Sequence, residues 1–124
     1  MADVLHDDVF DNGLTQISTL TEQLYILSAD PGLTWANIAT YKLGNKATPT
    51  IASPTDRAAG GREVVISAIT DGSVTATGTA THFALTDDSA TKILASGNLA
   101  SSQSVTSGNT FTLTEFPVGI PDPA

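Results

Sequence analysis

The chain has 124 residues, 40% of them hydrophobic and only 15% charged, with a formal net charge of −8 and no cysteine. That length suits one domain, able to bury roughly two-thirds of the surface its unfolded form exposes. Five Lys and Arg residues are too few to neutralise a run of phosphates, so nucleic acid and anionic membrane are poor partners, and the lack of cysteine excludes disulfides and thiolate metal sites.

The first residues, Met1 to Asp8, carry neither a basic nor an apolar run, so no secretory leader is expected and synthesis in the cytoplasm follows. No apolar stretch is long enough to span a bilayer as a helix. Asp3 is placed to cap a helix, and Asp7 and Asp8 suit the positive end of its dipole. Phe10, Leu14 and Ile17 follow at helical spacing with Leu5 and Val9 nearby, which predicts a helix from Val4 to Ser18 despite Gly13. A helix this short needs its apolar stripe packed against something. Two readings stand side by side: the stripe packs on the chain's own sheets, or residues 1–22 form a docking element ahead of a domain spanning 23–124.

Strand signals fill the rest. Gln23 to Ser28 is a β-type run ended by the turn residues Asp30-Pro31-Gly32. Thr34 to Ala39 reads as one helical turn capped by Thr34, and Tyr41 to Leu43 runs into Gly44. Residues 45–61 are punctuated by Pro49, Pro54 and Gly60-Gly61. Ala47 to Ala52 fits an edge strand, and Thr55 to Gly61 an exposed loop. Arg62 to Ile69 is the strongest strand, apolar on both faces near its middle, as a central strand would be. Asp71-Gly72 signals a hairpin with Val74 to Thr77 returning, and Gly78 a bulge. In Thr81 to Thr86, Phe83 and Leu85 share one face, and Ala80, His82 and Ala84 the other. Asp87 to Thr91 is a turn and Lys92 to Ser96 pairs back. Residues 97–109 are polar apart from Leu99 and Val105. Thr110 to Phe116 alternates, Pro117 interrupts it, and Val118 to Ile120 is a last short piece. One helix and seven or eight short antiparallel strands make a mainly β chain, a jelly-roll-like antiparallel β-sandwich with an N-terminal α-helix.

Chemistry-bearing residues do not assemble into a recognisable site. His6 and His82 lack zinc-ligand spacing. His82, among apolar neighbours in a strand, reads as structural. Asp87-Asp88-Ser89 offers oxygen ligands without the further ligands of a calcium loop, so a solvated turn is the plainer reading. Asp7, Asp8 and Asp11 read as a charged helix face. No G-x-S-x-G elbow occurs, and Gly60-Gly61-Arg62 lacks the rest of a phosphate loop. Trp35, Tyr41 and Tyr25 fit either a core or an aromatic binding platform. No enzyme, metal or cofactor is therefore expected. The candidate contact residues are Leu5, Val9, Phe10, Leu14, Ile17, Trp35 and Tyr41.

Three segments carry a resemblance: Leu24 to Gly32 directly after a short helix, Ala80 to Asp87, and Leu94 to Leu113. In order and spacing they resemble a family of small β-sandwich virion proteins of tailed bacteriophages, some of which decorate heads while others belong to tails or fibres. The resemblance implies a virion protein made in a bacterial host. Its partners would be the major capsid protein or other virion proteins, and it would be present in many copies or as a homo-oligomer. A capsid decoration or cement protein is the first expectation and a host-binding tail or fibre module the second. It brings no catalytic residues.

Overall fold

The computed structural model describes residues 7–121, with side chains from Asp11 onward. The chain is an antiparallel β-sandwich of unequal halves with one long helix. After α1 (Asp7–Leu20) come β1 (Gln23–Leu27), the short α2 (Ala36–Tyr41), β2 (Lys42–Ala47), β3 (Thr55–Asp56), β4 (Arg62–Ile66), β5 (Ile69–Val74) and β6 (Gly78–Asp87). A 3-10 turn at Asp88–Ala90 leads into β7 (Lys92–Val105), β8 (Thr110–Leu113) and β9 (Phe116–Ile120). One sheet has the order β7-β6-β1-β2-β5-β8 and the other β3-β4-β9.

Leu24, Ile26, Leu43, Phe83, Leu85 and Phe111 of the larger sheet meet Val64 and Ile66 of the smaller one, and Leu14 of α1 joins them with no exposed surface. Of the two readings for its stripe, α1 follows the first among the described residues: it packs on β4, β6 and β9. Arg62 ties α1 to the sandwich, its Nε and Nη2 donating to the Asp11 carboxylate at 2.9 and 3.1 Å and its Nη1 to Asp56 at 2.8 Å. The expected cap Asp3 lies outside the described residues.

Several expectations need correction. The Asp71-Gly72 pair does not turn the chain; it lies inside β5, where the pairing with β8 slips by one residue between Ile69 and Gly72. A Cβ on Gly72 would overlap the Phe111 ring, so glycine serves close packing across a bulge instead of a hairpin. β4 is central, but only in the small sheet, and it alternates: Val64 and Ile66 are buried, Glu63 and Val65 half-buried. Ala47 to Ala52 forms no strand beyond a single bridge from Ile51 to Ile66. Within the loop expected after it, Thr55 and Asp56 pair with Glu63 and Arg62. β2 continues through Gly44, where the backbone of Ser73 approaches too closely for a side chain. α2 starts two residues later than expected, with Trp35 at its N-cap and no side-chain cap from Thr34. Pro117 does not interrupt a strand; it pairs opposite Val65 on the edge strand β9, where a missing donor is tolerated. Ala80 joins the core of Phe83 and Leu85, against the simple alternation, beside a register shift between Ala80 and His82.

The larger sheet curls strongly. Its two edges, β7 and β8, are joined by only four residues, Thr106 to Asn109. This link is sewn to the end of β5 and the residues after it: Gly108 N–H donates to Val74 O, and Ser107 N–H to Thr77 Oγ1. At that end the sheet is nearly a closed barrel, and from there β7 and β8 splay apart without pairing to each other.

Candidate functional site

Where β7 and β8 part lies a cleft of about 250 Å³. Its floor is apolar: Phe83, Leu99, Leu113 and Phe116. The Phe83 and Phe116 rings lie 4.5 Å apart at a 53° tilt, an arrangement aromatic pairs favour. Gly97 brings β7 close to the Phe83 ring. One wall is an arch in β7. Between Asn98, opposite His82, and Gln103, opposite Ala80, β7 spends three residues more than β6 does, so Leu99 to Ser102 bow away from the ladder. The other wall is Thr112 to Glu115. Gln103 Nε2 spans the gap and donates to Thr112 O at 2.6 Å. Glu115 is the one ionisable side chain among these lining residues.

Sequence reading missed this cleft, because it took residues 97–109 as a polar connection and not as a strand. The signal was present in Leu99 and Val105, the two apolar residues of an otherwise polar run. Leu99 packs toward the core and Val105 lies within it.

The expected contact residues separate into two places. Leu14 is wholly buried in the chain's own core and presents no surface, and Ile17 packs half-buried against it. Val9 and Phe10 lie on α1, but their side chains, and Leu5 entirely, fall outside the described residues. Trp35 and Tyr41 do come together, with Tyr25, around a second small core of Leu27, Ile38, Ala84 and Ile93. All three aromatics are half-buried there, and beside them the loop tip Leu33 is 73% exposed. Ser96 of β7 holds that loop by donating its hydroxyl to Gly32 O at 2.8 Å.

The acidic turn after β6 is internally engaged. Asp88 accepts from Tyr25 Oη at 2.7 Å and from Thr86 Oγ1 at 2.6 Å. Asp87 accepts from Ala90 N–H, and Glu22 from the Ser89 N–H and hydroxyl. These contacts move two protons. Burial, then the neighbouring Asp88 carboxylate, pushes the Tyr25 phenol up to about 12, while the Ser89 backbone N–H holds Glu22 below the usual carboxylate range. No group of three or more His, Cys, Asp or Glu able to hold a metal occurs among the described residues. His82 is half-buried, its Nδ1 2.8 Å from Thr81 Oγ1; His6 lies outside the described residues.

The arrangement can therefore recognise a partner by shape, main-chain hydrogen bonds and apolar contact. Comparison of the chain with protein-family models, with curated proteins and with solved structures found no match.

Proposed function

We propose that this chain is a non-enzymatic structural protein of a bacteriophage particle, most readily a decoration or cement protein bound in many copies to the head through the major capsid protein or its neighbours. The observation that carries the reading is the state of the larger sheet's edges. Natural sheets usually guard their edges with charge or proline. Here, past Lys92 at the start of β7, both edges come from a stretch, Ile93 to Thr114, with no charged residue or proline, in a chain of net charge −8. An edge left unguarded in an otherwise acidic molecule suits a protein meant to be covered after docking. Repetition on a symmetric shell would multiply a modest contact into firm attachment. The resemblance of Leu24 to Gly32, Ala80 to Asp87 and Leu94 to Leu113 to phage virion proteins supplies the setting.

The test uses particles assembled without this chain. Purified protein added to them should co-sediment at a saturable copy number that follows the shell's symmetry. Protein left entirely in the supernatant overturns the reading.

One observation favours the alternative, a host-binding tail or fibre module: the exposed Leu33 tip beside the half-buried Trp35. Under that reading Trp35→Ala abolishes adsorption to the host while particle assembly stays intact.

A further inference from the structure

We infer that the cleft between β7 and β8 receives an extended segment of a different protein, which adds a strand to the outer edge of β8 and buries one apolar side chain against Phe83, Leu99 and Phe116. Three independent features point there. The curled sheet nearly closes at the Thr106 to Asn109 link and then opens, which leaves room where a closed barrel would hold one more strand. The floor of the opening is apolar while its walls are mostly polar, from Asn98, Ser101 and Gln103 on one side and Thr112, Thr114 and Glu115 on the other. That division suits β-strand addition, in which main-chain bonds give affinity and a pocket for alternate side chains gives selectivity. Finally, Gln103 donates a side-chain amide N–H to Thr112 O across the gap. It stands where the peptide N–H of an added strand would donate, and keeps an edge acceptor satisfied until one arrives.

Charge selects the occupant. Glu115 is the sole ionisable group lining the cleft among the described residues, and the chain as a whole carries −8. A second copy of this chain would bring like charge to the same place. A segment with Lys or Arg beside its apolar anchor brings the opposite charge, so the fitting partner is a basic-flanked, alternating strand of another protein.

The inference rests on the reading of the chain as a docking module, but it is tested without any particle. Two synthetic octapeptides of alternating Thr and Val with a central Leu would be compared, one flanked by Lys and the other by Glu. Each would be titrated into the full chain at low salt, with amide and methyl resonances followed by NMR. The Lys-flanked peptide should shift the signals of Leu99, Gln103, Thr112 and Leu113. It should bind about two- to fivefold tighter than its Glu-flanked twin, the ratio an exposed ion pair supplies. Glu115→Lys, an exposed position, should reverse that order. Thr112→Pro, which removes an outward-facing edge donor, should abolish the shifts of both peptides while the remaining spectrum shows an intact fold. No shifts in the cleft with either peptide, a preference that Glu115→Lys leaves unchanged, or the same signals moving with protein concentration alone would each overturn the inference, the last in favour of a second copy. A positive peptide result with no binding to particles would leave the cleft assigned and remove the virion reading instead.

Discussion

At the scale of single residues, two side chains do more than their composition suggests. Arg62 is one of only five cations in the chain, and it sits 16% exposed between α1 and the small sheet, forked onto Asp11 and bonded to Asp56 and Pro54 O. Charge-assisted, two-pronged bonds of this kind are stronger than surface pairs, and removing the cation leaves a half-buried carboxylate without its partner. Arg62→Ala should lower the unfolding free energy by about 2 to 3 kcal/mol in urea titrations, and Arg62→Lys, which cannot fork, should recover only part of it. Tyr25 gives a pH signature. Its phenol ionises near 12 in the fold against about 10 when unfolded, so the fold favours the protonated form. That contribution is complete below pH 10 and disappears as pH rises from 10 to 12. Unfolding measured across this window should show a steeper loss of stability for the native chain than for Tyr25→Phe, and phenolate absorbance should show a late-titrating component that Tyr25→Phe removes.

At the scale of elements, the close packing of β5 on β8 explains why a turn dipeptide sits within a strand. Gly72→Ala drives a methyl into the Phe111 ring, and overpacking of a filled core should destabilise the chain by about 3 kcal/mol. Phe111→Leu added to it should restore part of the loss, a coupling that thermal unfolding of the double variant would reveal. The helix α1 has a parallel test. Leu14→Ala, at a site with no exposed surface in the common core, should remove about 3 kcal/mol. A helix that served docking alone would leave stability unchanged.

The same elements show what could be read from residue order. β1, the body of β6 and the Asp87 to Thr91 turn were legible because alternation and turn chemistry act locally there: Asp87 caps the 3-10 turn and Thr91 takes a left-handed conformation. The continuity of β7 was not legible. Apart from Leu99 and Val105, its outer half is Gly, Asn, Ala, Ser and Gln, whose strand conformation is imposed by its place beside β6 and not by propensity. The irregularity opposite Ala80 and His82 was equally hidden, since the three extra residues of β7 there shift the register without marking the sequence. The cleft inherits both blind spots, because it exists only where a long strand and a bulge meet the far edge of a curled sheet.

At the scale of the whole molecule, charge and edge arrangement pull apart. Acidic residues lie along α1, around β3 and β4 and at the turn after β6, while the two open edges of the larger sheet carry none between Ile93 and Thr114. In the proposed role, net charge would keep such a molecule dispersed while the nearly uncharged border is the part that attaches. For the proposed virion role, the most direct measurement is a cryo-EM reconstruction of a phage particle purified from the source of this sequence. The account predicts density for the sandwich at repeated, symmetry-related positions on the outside of the shell, with the β7 and β8 border turned toward a neighbouring protein. Particles that are complete and infectious with no copy of the chain would contradict it.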